Sequence, residues 1–253
     1  MKSILIAAYG TPGVFGLEHL LALGYLPDQL AVLTHPEDAR NAPLFAFAAA
    51  HGIEICDGGC ADPVTIAFVK RRAPEAIFSL HYRDRIPQSI LGLAKLGGVN
   101  LHPSLLPKHR GCFSAPWAII EGDTTTGFTY HTMTDKFDEG TILLQHELPI
   151  SDTDTAYSLF HREIIEGMKV FPEVVWKTLA GDKGEPQKKD GGSYHTRSVP
   201  FDGIINPDWD RAQVDRFIRA MIFPPFKPAM LNVDGKLEPV TSLADFDRLT
   251  SRA

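Results

Sequence analysis

"GGVNLHPSLLPKHRG" occupies residues 97–111. A short apolar run leads to Asn100, and then the polarity changes abruptly. Two prolines and a glycine follow His102 within nine residues. On a strand, residues two apart point to the same face. Asn100 and His102 therefore stand side by side where a strand gives way to a rigid loop. Open α/β sheets place their ligands at such strand ends.

The chain before this stretch has the rhythm such a sheet requires. "SILIAA" (3–8), "QLAVLT" (29–34) and "AIFSLH" (76–81) are continuous apolar runs, as expected of strands buried on both faces. Helical patterns alternate with them at 13–24, 42–52 and 86–97. The expectation is α/β: a Rossmann-like, mostly parallel sheet with flanking helices. The pattern then changes. "GFTYHTM" (127–133) and "TILLQHELPI" (141–150) read as antiparallel partners, and 152–181 reads as one long helix capped by Asp154 or Thr155. A polar, Gly- and Lys-rich stretch at 181–193 reads as a linker or exposed loop. After it come an amphipathic helix at 209–223 and a hairpin with Asp-Gly at its turn (229–240). Two domains are expected: residues 1–189, and a small α+β extension, 190–253.

Charge and composition narrow the function. The net charge is −6 over 253 residues, so no basic face is implied and no nucleic-acid partner is expected. The start, "MKSILIAAYG", does not read as a signal peptide, and no window approaches the length of a membrane span. A cytoplasmic protein without a membrane partner is expected. Cys56, Cys60 and Cys112 read as reduced thiols. They offer no zinc spacing, and no metal is expected.

Two candidate sites compete. Gly10, Gly13 and Gly16 follow the first strand, but with G-x-x-G-x-x-G spacing, with Pro12 lacking an N–H, and with no acidic residue ending the second strand. A tight strand-to-helix turn explains them better than a nicotinamide site. The stronger constellation is Asn100, His102 and Asp138, the last in "KFDEGTILL". A neutral imidazole takes a proton, a carboxylate stabilises its charged form, and an amide N–H donates to a developing oxyanion. These parts suit acyl transfer to a nucleophile supplied by the substrate, because no G-x-S-x-G elbow is present.

"NLHPSLLPKHRG" followed by "TGFTYHTMTDKFDEGTILLQ" resembles the folate-dependent formyltransferase family. The resemblance covers roughly residues 75–180. It implies that Asn100, His102 and Asp138 are the catalytic trio. It implies 10-formyl-tetrahydrofolate as donor, held near "HYRDRIP" (81–87) and the 132–138 loop by Tyr82, Arg83, Asp84, Ile86, Thr132, Thr134 and Asp135. Tyr82, Arg83 and Trp117 match the nucleotide-sugar branch, and the tail from Tyr194 resembles those of GDP-perosamine N-formyltransferases. The branch implies formylation of an amino sugar on a nucleotide, for O-antigen or other surface polysaccharide. Its acceptor contacts would be Ser104, Lys108, Arg110 and Trp117. Ser114 and Pro116 depart from the pattern of many relatives in that loop.

Other readings stay open at this stage. The amine acceptor could instead be methionyl-tRNA or glycinamide ribonucleotide, or the fold could serve as a non-catalytic binding module. The tail's apolar helix face (Val214, Phe217, Ile218, Met221) needs a covering surface, and a homodimer is expected to use the segment after residue 221.

Overall fold

A computed structural model describes residues 3–251. Strand β1 (Ile4–Ala8) is entirely buried and leads into helix α1 (Thr11–Ala22). There follow β2 (Leu30–Leu33), α2 (Ala42–His51), β3 (Glu54–Cys56), α3 (Pro63–Arg72), β4 (Ala76–Leu80), α4 (Gln88–Leu91) and β5 (Gly98–His102). The five strands run parallel in the order β3-β2-β1-β4-β5. Their near-continuous aliphatic sequences suit burial on both faces, as parallel strands require.

After β5 come β6 (Arg110–Gly111), α5 (Ser114–Glu121), β7 (Thr125–Thr132) and β8 (Ile142–Pro149). β7 joins the sheet antiparallel to β5, and β8 completes seven strands beyond it. Helices α6 (Ala156–Lys169) and α7 (Phe171–Leu179) follow. The tail holds β9 (Tyr194–His195), α8 (Arg211–Ala220), the hairpin β10 (Ala229–Val233) and β11 (Lys236–Val240), and α9 (Leu243–Thr250). The mostly parallel sheet and small antiparallel extension are those expected from sequence.

Some elements differ. The helix expected over 152–181 is two, because Pro172 has no N–H and its ring would strike the carbonyl a turn earlier. Val170 breaks the run at φ −100°, ψ 3°. Thr155 is the residue that starts α6: its Oγ1 accepts from Ser158 N at 3.1 Å, and Ser158 Oγ accepts from Thr155 N at 3.0 Å. The helix expected over 86–97 shrinks to α4, with turns from Gly92 to Gly97, which sits at φ +73°. Pattern reading passed over β3, α3 and α9; β3 is only three residues long.

The chain forms two compact units that run differently from the 1–189 and 190–253 division expected. Unit 1 comprises Met1–His102, Thr129–Gln145 and Ile164–Lys188; unit 2 comprises Pro103–Phe128, His146–Glu163 and Lys189–Ala253. The tail does not stand alone because its apolar face is covered within unit 2. Val214, Phe217 and Ile218 of α8 pack with Ala229, Leu231, Val240 and Leu249, and with Ile120 of α5.

Candidate active site

The end of β5 sets the site within unit 1. In the β5–β7 register Asn100 lies opposite His131, and His102 opposite Thr129. Directly opposed residues of an antiparallel pair share a face. Asn100, His102, Thr129 and His131 therefore look out on one side of the sheet. The loop after β7 brings Asp138 to that side. It does so with Asp138 at φ +54°, a left-handed conformation that Asp and Asn tolerate better than most residues. Gln187 steadies the turn by donating from Nε2 to the Asp138 carbonyl at 2.6 Å and to the Gly140 carbonyl at 2.9 Å. Gly140 is required there: a Cβ would run into the carbonyl of Thr132.

Asp138 reaches two imidazoles. Its Oδ2 lies 3.6 Å from His102 Nδ1, and its Oδ1 lies 3.3 Å from His131 Nε2. The first distance is long for a hydrogen bond but short for a charge interaction. Both rings are almost wholly buried, and the carboxylate nearly so, which keeps solvent screening low. His102 Nδ1 faces the carboxylate, which leaves Nε2 as the ring nitrogen turned away from Asp138.

His131 is the member that sequence reasoning missed. Its Nδ1 donates to the Thr132 carbonyl at 2.9 Å, and its Nε2 lies 3.2 Å from Asn100 Nδ2. In the neutral ring, Nε2 accepts from the Asn100 amide. That fixes which end of the amide is nitrogen and leaves its second N–H for a substrate oxygen. In the imidazolium, Nε2 donates to Asp138 instead. The signal was present in "FTYHT": Thr129 and His131 are polar positions alternating with the apolar Phe128 and Tyr130. It needed the pairing register to be legible.

The expected donor-side residues also lie in unit 1. Tyr82 is half-buried and stacks on His35 with ring centroids 4.6 Å apart, while its hydroxyl meets Cys60 Sγ at 3.5 Å. Burial first, and the Cys60 contact second, raise the Tyr82 pKa. Arg83 lies over the Tyr9 ring at 4.8 Å. Asp84 is 3.8 Å from His35 Nδ1, and Asp135 pairs with Arg85 at 3.7 Å. Thr132 exchanges hydroxyl contacts with Thr141, and Thr134 holds the Lys136 backbone. Ile86 is 5% exposed and belongs to the core around Ile77 and Leu91. This corner therefore offers stacked aromatic faces beside mixed charge at the carboxyl ends of β1, β2 and β4.

The expected acceptor residues fall in unit 2. Ser104 is fully buried and its hydroxyl donates to the Lys108 carbonyl at 2.7 Å, so it braces its own loop. Lys108 Nζ pairs with Asp123 Oδ1 at 3.0 Å. Arg110 lies in β6, which pairs with β9. Trp117 stacks on His195 at 4.5 Å with planes 10° apart, and its indole N–H is buried without a hydrogen-bond partner. His195 is pushed down to about 4, by burial first and then by His109.

Residues 37–175 match the Formyl transferase family. A GDP-perosamine N-formyltransferase from Brucella melitensis is 45% identical over 240 residues, covering 95% of this chain and 92% of that protein. Among solved structures, a sugar N-formyltransferase from Shewanella sp. superposes with a TM-score of 0.75 at 21% identity, covering 95% of this chain and 96% of the other. An N-formyltransferase from Helicobacter canadensis, in complex with folinic acid and dTDP-3-aminofucose, gives 0.73 at 24% identity, covering 93% and 85%. At these identities the structural likenesses speak to the fold.

Proposed function

The chain belongs to the formyl transferase family and is an N-formyltransferase, and from that premise we propose that it carries the formyl group of 10-formyl-tetrahydrofolate to the amine of a nucleotide-linked amino sugar, GDP-perosamine first among them. The observation that carries this reading is the convergence of Asn100, His102 and Asp138 on one sheet face. The 45% identity to a GDP-perosamine enzyme over nearly the whole chain supports the acceptor.

The chemistry follows from the groups. The unprotonated sugar amine attacks the formyl carbon, forming the new C–N bond. Negative charge grows on the formyl oxygen, where the second N–H of Asn100 meets it. One such donor is worth about 3 kcal/mol, ~10²-fold or more in rate. His102 takes the proton from the ammonium that forms. Asp138, 3.6 Å away, stabilises the resulting imidazolium. The bond from the formyl carbon to the folate nitrogen then breaks, and His102 returns the proton to that nitrogen, giving tetrahydrofolate. His131 orients Asn100 and shares the Asp138 carboxylate.

Tyr82, Arg83, Asp84, Ile86, Thr132, Thr134 and Asp135 are the donor-side residues in this reading. Ser104, Lys108, Arg110 and Trp117 shape the acceptor side. The product serves surface-polysaccharide assembly from a cytoplasmic pool of nucleotide sugar, and the working form is a homodimer. No helix among the described residues is long and apolar enough to cross a membrane.

Incubation with 10-formyl-tetrahydrofolate and GDP-, dTDP- and UDP-linked amino sugars tests the proposal. One tetrahydrofolate released per formylated sugar is expected. No release with any of them would leave a binding module.

A further inference from the structure

A second cluster of imidazoles and carboxylates lies in unit 2 and has no part in the formyl-transfer chemistry above. His109 Nδ1 and His195 Nε2 are 3.0 Å apart. Glu121 Oε1 is 3.9 Å from His195 Nε2, and the three ligand atoms all lie within 4.8 Å of one another. On its far side, His109 Nε2 donates to Asp123 Oδ2 at 2.9 Å. We propose that His109, His195 and Glu121 form a three-ligand site for one divalent transition-metal ion of the zinc class.

The donor set fits such an ion. Two imidazole nitrogens and one carboxylate are borderline ligands, and three protein ligands with an open fourth position are a common zinc arrangement. At bond lengths of 2.0–2.1 Å, tetrahedral ligand atoms stand about 3.3 Å apart. The two histidines are already near that spacing. Glu121, the ligand furthest from it, has 42% of its side chain exposed and is free to swing. The two histidines are the fixed members, with side chains 3% and 11% exposed.

The outer contacts match as well. A metal-bound histidine usually donates its second N–H to a carboxylate, which sets the tautomer and raises ligand basicity. Asp123 does this for His109. With Nε2 protonated, His109 presents a lone pair on Nδ1. The short contact from His195 then places a proton where the ion would sit. Binding moves the His195 proton to Nδ1 and replaces an N–H···N contact with two metal bonds. Backbone pairing brings the ligands together: β9 runs parallel to β6, with Gly111 opposite His195, and Ser193 Oγ accepts from His109 N at 2.8 Å. Trp117 stacked on the His195 ring closes one side. The ion would clamp the 193–195 segment to the 109–123 segment within this unit.

The full chain is stripped with a chelator, dialysed, and titrated with ZnCl2 by calorimetry and with CoCl2 by visible absorption. The expected result is one ion per chain, bound at micromolar concentration or tighter, with cobalt bands of tetrahedral or five-coordinate intensity. Glu121→Gln, on an exposed side chain, should weaken binding at least ~10-fold, and His195→Gln more. Asp123→Asn should weaken it ~10–100-fold through His109. Asp138→Asn should leave it unchanged, because that carboxylate serves the other cluster. Absence of binding up to millimolar zinc overturns the proposal. So does binding that survives both Glu121→Gln and His195→Gln unaltered.

Discussion

Replacing Asp138 by Asn removes a charge while leaving shape and backbone in place. Asn tolerates the φ of +54° found there, and Gln187 still has the residue-138 carbonyl to bond. In the proposed mechanism the charge acts on His102 when that ring takes the amine proton. Two unit charges 3.6 Å apart attract by about 4.6 kcal/mol at an effective dielectric of 20. The transition state carries only part of the full imidazolium charge. Half to nearly all of that attraction, about 2.3–4.5 kcal/mol, is then lost from the barrier. At 1.36 kcal/mol per decade this is a fall in kcat of roughly 10²–10³-fold, with little change in KM for either substrate. The assay follows tetrahydrofolate release with an amino-sugar nucleotide, alongside circular dichroism to verify the fold. The reasoning is refuted if a natively folded Asp138→Asn protein keeps kcat within threefold of the parent.

Three further outcomes are expected. Gly140→Ala should lower kcat at least ~10-fold, since its methyl meets the Thr132 carbonyl and shifts Asp138 off the imidazoles; an unimpaired variant would show that this turn has slack. Glu163 is wholly buried, and burial pushes its carboxyl well above the usual range despite the Thr126 hydroxyl at 2.6 Å. The folded state then keeps a proton that the unfolded chain releases above pH ~4.3, so stability is fullest below that pH and declines as pH rises toward the raised value, by at most ~1.4 kcal/mol per pH unit. Urea midpoints measured from pH 5 to 8 should fall less steeply in Glu163→Gln, and equal slopes would refute the assignment. Sedimentation at micromolar concentration should give a dimer, and a monomer would remove that part of the proposal.

Much of the fold was legible because parallel strands leave a plain mark. Residues 4–8, 30–33 and 76–80 are almost wholly apolar, short, and buried along their whole length. The Asn100–His102 pair was legible for the same kind of reason, since strand alternation puts both on one face. His131 was not, because its role depends on which residue of β5 it opposes, and register is a property of pairing. The three-residue β3 carries too little pattern to announce itself. The tail's apolar helix was read correctly as needing cover. The cover lies within unit 2, which long-range contacts decide. The same applies to His109 and His195, 86 positions apart. Metal-ligand spacing in sequence shows only sites built from neighbours, so it says nothing of a pair this far apart. Ser104 shows what sequence cannot: its hydroxyl is buried and braces its own loop through the Lys108 carbonyl.

The most direct test of the central claim compares acceptors at fixed 10-formyl-tetrahydrofolate, measuring kcat/KM for GDP-perosamine, methionyl-tRNA and glycinamide ribonucleotide with the product identified by mass. The account predicts formylated GDP-perosamine as the efficient product, with the other two at least ~10³-fold poorer, because their acceptors lack the sugar that the acceptor side is shaped for. Efficient formylation of either of those two, with GDP-perosamine left unmodified, would contradict it.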